Sequence, residues 1–133
     1  MSIGLLLITH NDIGAELLAT ATRMLGHCPL DADCLRVGDD DDLPELYATA
    51  QTLAKRLDHG DGLLVLTDLY GSTPANIAHA LADRHGVRVL AGINLPMLVR
   101  VLNYADLGLA AVTEKALSGG RDGVLPCRPG ERL

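Results

Sequence analysis

Two kinds of hydrophobic pattern alternate along the chain. Gly4 to Ile8 (Gly-Leu-Leu-Leu-Ile), ending in Thr9-His10, and Leu63 to Thr67 (Leu-Leu-Val-Leu-Thr) are apolar at almost every position. Such runs mark strands buried on both faces. Ala32 to Val37 alternates apolar and polar residues, as expected of a strand at a sheet edge, and Val87 to Ala91 predicts a fourth strand. Between the strands the apolar period lengthens to that of a helix. Ile13 to Leu25 places Ile13, Leu17, Leu18, Ala21, Met24 and Leu25 on one face, after Asn11 or Asp12 as N-cap. Leu43 to Leu57 repeats the pattern with Leu43, Leu46, Tyr47, Ala50, Leu53, Ala54 and Leu57, and Pro44 suits its first turn. Further helices are predicted over Ala75 to His85, from Leu95 to Leu102, and over Leu107 to Leu117. Gly119-Gly120 is expected to break the last of these, leaving Gly123-Val124-Leu125 as a short final strand.

Strand and helix in strict alternation, with unbroken apolar strands, specify an α/β fold: a mostly parallel open sheet with helices on both faces. Right-handed crossovers make strand order 2-1-3-4 the simplest layout. The connection direction then reverses between the first and third strands, and ligands of such sheets bind outside the carboxyl ends at that switch point. His10 ends the first strand there and Asp68 follows the third.

Composition narrows the partners. A chain of 133 residues is read as one domain, residues 1–133, large enough to bury a core without staples. It has no Phe and no Trp, so that core must be aliphatic. The net charge of −6, with only 11 Lys and Arg, argues against nucleic acid and against anionic membrane surfaces as partners. Cys28, Cys34 and Cys127 are odd in number and lack Cys-x-x-Cys spacing, so buried free thiols are expected rather than a disulfide or zinc site. No basic leader or apolar run of about 18 residues is seen, which predicts a cytoplasmic protein.

At the switch point the residues point to phosphoryl chemistry. A carboxylate holding one ring nitrogen of a histidine fixes the tautomer and exposes the lone pair of the other, making His10 a nucleophile or base and Asp68 its orienter. Gly71, Ser72 and Thr73, leading through Pro74 into a helix, form a turn able to hold an anion, with further donors at Asn11 and the first helix N-terminus. No glycine-lysine phosphate loop and no G-x-G-x-x-G occurs, so no nucleotide, metal or other cofactor is expected. Asp39 to Asp42 lacks the spacing of a calcium loop and reads as a solvated turn with Asp42 as N-cap. His27, His59 and His85 sit where helices end, and His79 reads as a surface partner of Asp83.

Four segments together resemble the mannose-type IIA proteins of the bacterial phosphoenolpyruvate-dependent sugar phosphotransferase system. They are Thr9-His10, Thr67-Asp68-x-Tyr70-Gly71-Ser72-Thr73-Pro74-x-Asn76, Ala91 to Leu98 (Ala-Gly-Ile-Asn-Leu-Pro-Met-Leu), and Gly120-Arg121-Asp122-Gly123-Val124. The resemblance spans essentially the whole chain. It implies that His10 takes a phosphoryl group from phospho-HPr, that Asp68 bonds its other nitrogen, and that Thr73 and nearby amides contact the phosphate. It places Tyr70, Asn94, Pro96 and Met97 on the rim met by partners. It further implies a homodimer exchanging its last, antiparallel strand, and a IIB component as acceptor on a separate chain. The membrane would be reached only through a IIC/IID permease. Family members often carry Trp where this chain has Tyr70 and Gly where it has Ser72, which leaves partner docking and the phosphate cradle open.

Four other readings compete. The phosphocarrier domain of bacterial dihydroxyacetone kinases is a close variant of the same resemblance, and a purely regulatory phosphorylation sensor is another use of it. A response-regulator receiver shares the strand order, but here His10-Asn11-Asp12 stands where its metal-binding acidic pair belongs and no lysine follows Lys115. A non-catalytic interaction domain using the same rim would bind a phosphorylated donor without gaining covalent phosphate.

Overall fold

The computed structural model describes residues 2–133. Its elements run β1 (Gly4–His10), α1 (Ile13–Leu25), β2 (Asp31–Val37), α2 (Leu43–Leu57), β3 (Leu63–Thr67), α3 (Thr73–His79), β4 (Val87–Ala91), α4 (Leu95–Asn103) and α5 (Leu109–Asp122). The four strands are all parallel, in the order β2-β1-β3-β4, as the hydrophobic pattern predicts. Because successive side chains of a strand point to opposite faces, the aliphatic runs feed two cores at once. Leu5, Leu7, Leu64 and Leu66 pack under α1, α4 and α5. Leu6, Ile8, Leu63 and Val65 pack under α2 and α3. Every one of these eight side chains is fully buried, so β1 and β3 form a rigid centre whose carboxyl ends hold His10 and Asp68 in place.

Two expectations are corrected. The helix predicted over Ala75 to His85 stops at His79. Beyond it the chain tightens into turns, with Leu81 N–H donating to the Ala78 carbonyl, Ala82 to His79 and Arg84 to Leu81. This winding rotates Leu81 fully into the core beneath the sheet. Gly119-Gly120 does not break the last helix, which runs on to Asp122. The two glycines are contact points instead: a Cβ at Gly119 would lie 2.8 Å from the Arg100 Cβ, and one at Gly120 would lie 2.8 Å from the Met97 Cε. Their missing side chains let α5 lie directly on α4. Gly123-Val124-Leu125, expected as a strand exchanged between copies, pairs with no strand of its own chain. Val124 and Leu125 are exposed, and the outer edge of β4 pairs with no strand among the described residues.

The cysteines are free, as expected, but Cys127 is exposed while Cys28 and Cys34 are half-buried. Burial, reinforced by neighbouring Asp33, pushes the Cys34 thiol up to about 11. Among the described residues, no helix is long and apolar enough to cross a membrane.

Candidate active site

Parallel pairing brings the candidate pair together. Ile8 of β1 lies opposite Thr67 of β3, so the residues just beyond, His10 and Asp68, leave the sheet side by side. Asp68 Oδ2 accepts from the His10 backbone N–H at 3.0 Å and lies 2.8 Å from His10 Nδ1. Its other oxygen accepts from the Leu69 N–H at 3.0 Å. The carboxylate side chain is only 13% exposed, whereas the imidazole is 38% exposed. Burial alone would raise the Asp68 pKa. The hydrogen bonds from the His10 backbone and ring and from Leu69 outweigh it, and hold the carboxyl below its ordinary value. Asp68 is therefore ionised at neutral pH and accepts a hydrogen bond from Nδ1–H, which leaves Nε2 as the free nitrogen of the ring.

His10 opens on a cleft of about 300 Å³ that it shares with Thr73, Pro74, Gly38, Asp39, Asp41 and Leu43. Thr73 is exposed there at the start of α3. Ser72 serves the turn itself: its hydroxyl donates to the Leu69 carbonyl at 2.6 Å and receives the Ala75 N–H at 3.5 Å as the N-cap of α3. Gly71, in the left-handed region at φ 86°, faces a different cleft together with Tyr70, which is almost fully exposed. Asn11 adopts φ 48°, a conformation asparagine tolerates better than most residues. Its N–H is already donated to the Val37 carbonyl at 3.0 Å and its side chain accepts from Arg36 at 3.4 Å.

The segment after β4 is placed otherwise than expected. Met97 is not on the rim; it is 3% exposed and packs in the core against Gly120. Asn94 is occupied as the N-cap of α4, accepting the Met97 N–H at 2.9 Å and donating to the Gly120 carbonyl at 3.1 Å. Pro96 is exposed but lies against Gly123, and none of the three lines the His10 cleft. Conversely, Asp39 and Asp41 do line it. Pairing carries the signal for them, because Val37 is the register partner of His10 and the residues after it must pass the ring. Asp42 is the N-cap of α2 but makes no side-chain cap bond; it is Asp41 that accepts from Gly38 N–H at 2.7 Å.

The chain is similar to known proteins over nearly its whole length. The family described as PTS system fructose IIA component, EIIA-man, matches residues 4–117. The chain belongs to the mannose-type IIA family. It is 32% identical to the mannose-specific EIIAB component of the PTS system in Escherichia coli K12, over 99% of this chain and 42% of that protein. The Shigella flexneri protein of the same description gives the same figures. The IIA chain thus spans less than half the length of these relatives. Among solved structures, the mannose/sorbose specific IIA subunit of Enterococcus faecalis superposes with a TM-score of 0.84 at 27% identity, over the whole of both chains. The IIA protein associated with the fucose utilization operon of Streptococcus pneumoniae shares the fold, with a TM-score of 0.80 at 23% identity over 95% of this chain and 93% of that one.

Within this IIA chain the remaining histidines stand apart from the cleft. His59 bonds Asp31 at the opposite end of the sheet through Nε2, at 2.8 Å. His79 is not the partner of Asp83 expected from spacing; as the last residue of α3 it lines the cleft that holds Tyr70 and Gly71. Among the described residues no group of three or more His, Cys, Asp or Glu side chains is placed to hold a metal ion.

Proposed function

We propose that this IIA chain is a phosphocarrier in sugar uptake: His10 accepts a phosphoryl group from the phosphohistidine of an HPr-type donor and passes it to a IIB component. The observation that carries this reading is the 2.8 Å contact between Asp68 Oδ2 and His10 Nδ1, which dedicates one ring nitrogen to orientation and leaves the other as nucleophile. In the transfer, the donor's nitrogen–phosphorus bond breaks as the bond from His10 Nε2 to phosphorus forms. The Nδ1 proton stays on the Asp68 hydrogen bond, whose negative charge balances the positive charge gained by the ring. Donor and acceptor nitrogens are alike, so the phosphoryl group changes little in free energy and the step runs in both directions. Thr73 is the residue of the α3 turn best placed to meet the phosphoryl oxygens, being exposed on the His10 cleft.

The charge of the cleft favours a carrier over a kinase. Asp39 and Asp41 stand on its wall, and nearby Arg36 is paired with Asp12 at 3.2 Å, so a free nucleoside triphosphate meets net repulsion. The exposed Tyr70 and Leu69 beside Asp68 are the apolar surface a partner protein would cover. The same reading includes a cytoplasmic place of action and a homodimer, with the exposed Val124 and Leu125 of one copy laid along the open β4 edge of another. Incubation with phosphoenolpyruvate, enzyme I and HPr should add one acid-labile, base-stable phosphoryl group per chain, and that group should return to HPr when unphosphorylated HPr is added. ATP alone should add none. Labelling by ATP, or failure to acquire label from phospho-HPr, contradicts the proposal. Sedimentation should show a dimer that weakens when the chain is cut after Asp122; a monomer at micromolar concentration would remove the dimer from it.

A further inference from the structure

One residue before His10, a buried hydroxyl caps a helix to which it does not belong. The first N–H groups of a helix have no partner within it, and the side chain at the N-cap ordinarily takes the second or third of them. Asp12 stands at the N-cap of α1 but makes no such bond; its carboxylate turns to Arg36 Nε at 3.2 Å. Thr9 Oγ1 takes its place, accepting the N–H of Gly14, the second residue of the helix, at 2.8 Å. Thr9 is 1% exposed and Gly14 is buried, so solvent does not compete for that bond. A Cβ at Gly14 would lie 3.0 Å from Thr9 Oγ1 and 3.2 Å from the Leu7 Cβ, and its absence lets α1 come this close to β1.

Strand alternation turns Thr9 to the α1 face with Leu5 and Leu7, and His10 to the opposite face with Leu6 and Ile8. Two neighbouring residues thus grip opposite sides of the sheet at the point where β1 ends. The turn that follows is held at its middle as well, where Asn11, at φ 48°, donates its N–H to the Val37 carbonyl at 3.0 Å. We propose that Thr9 is a positioning residue for His10: its hydroxyl anchors the turn from β1 to α1 and, through the His10 backbone, holds the imidazole on Asp68. A single carboxylate oxygen, Asp68 Oδ2, meets both the His10 backbone N–H at 3.0 Å and Nδ1 at 2.8 Å. The ring contact therefore depends on where that N–H stands, and a rotation of the His10 peptide disturbs both together. Removing the Thr9 hydroxyl leaves the Gly14 N–H buried without a partner, a cost that the turn relieves by shifting toward solvent. Only the consequence for the transfer rate rests on the phosphocarrier reading; the hold of Thr9 on the ring does not.

The test joins nitrogen-15 NMR of the His10 ring in the unphosphorylated full chain with transfer kinetics from phospho-HPr. Wild type should show the neutral ring as the Nδ1–H tautomer. Thr9→Val keeps the shape of the side chain and removes the acceptor. It should mix the two tautomers and lower kcat by about tenfold, with KM for phospho-HPr changed by less than about twofold. Thr9→Ser, which restores the acceptor, should recover the wild-type ring signals and rate. Wild-type ring signals in folded Thr9→Val, no recovery in Thr9→Ser, or a loss confined to KM would each overturn the assignment. If Thr9→Val does not fold, Thr9→Ala removes the same acceptor with less bulk and is read by the same criteria. A chain that takes no phosphoryl group from phospho-HPr refutes the phosphocarrier reading, yet the ring signals of these variants still decide the role of Thr9.

Discussion

The molecule carries two histidine–aspartate pairs with the same 2.8 Å separation, one at each end of its sheet. His10 meets Asp68 through Nδ1, while His59 meets Asp31 through Nε2. At the first pair the carboxylate is 13% exposed and is also held by two backbone N–H groups; at the second, His59 and Asp31 side chains are 58% and 52% exposed. Separation alone does not distinguish them. What does is which nitrogen is used, because a ring held at Nδ1 presents its outer nitrogen, and how rigidly the carboxylate is fixed. Asp68 is anchored by the end of a buried strand, whereas Asp31 begins the half-exposed edge strand β2. The first pair has the fixed carboxylate and free outer nitrogen that orienting a nucleophile requires, whereas the second ties a loop to an edge.

The contrast is broken most severely by removing each histidine in turn. His10→Ala should abolish acceptance of a phosphoryl group, and His59→Ala should leave it at the wild-type rate; a labelling assay with phospho-HPr reads both. Equal loss in the two variants would mean that the two pairs do not differ in function. Next in size is the orienting carboxylate. Asp68→Asn should slow transfer by roughly 10- to 100-fold with the fold retained, since an amide no longer selects the Nδ1–H tautomer. Asp31→Asn should change the rate less than about twofold, given the small worth of exposed ion pairs. Stopped transfer time courses on both variants, with circular dichroism as the folding control, decide the matter.

Acid unfolding sharpens the comparison more gently. The folded-state pKa of Asp68 lies below its ordinary 3.8, so the carboxylate contributes stability that is present above that value and lost as pH falls through the lowered folded-state value. Wild type should therefore lose stability relative to Asp68→Asn below about pH 4 in urea titrations, and a difference between the two that is independent of pH would contradict this. The smallest effect belongs to the exposed pair. Disrupting His59–Asp31 by Asp31→Asn should cost less than about 1 kcal/mol, and less again at high salt. A larger, salt-insensitive loss would mean the second pair is structural in a way its exposure denies.

The reach of the sequence follows the same division between rigid centre and periphery. The apolar runs at Gly4–Ile8 and Leu63–Leu66 have one physical solution, a strand buried on both faces, and from them the strand order and the meeting of His10 with Asp68 follow. Local signals fail where tertiary contact overrides them. Gly119-Gly120 has the composition of a helix stop, but in the folded chain it is where α5 touches Arg100 and Met97 of α4. Met97 and Asn94 lie in a segment that resembles a site motif, yet one fills the core and the other caps a helix and pins Gly120. Asp39 and Asp41 read as solvent-facing charge; only the register of β2 against β1 brings them to the His10 cleft.

With Nδ1 of His10 reserved by Asp68, Nε2 is the nitrogen left to react. Long-range proton–nitrogen NMR of the phosphorylated, nitrogen-15 labelled chain reports directly which ring nitrogen bears phosphorus. A single phosphohistidine is expected, at His10, with phosphorus on Nε2 and a proton retained on Nδ1. Phosphorus on Nδ1 of His10, or on any other histidine, would contradict it.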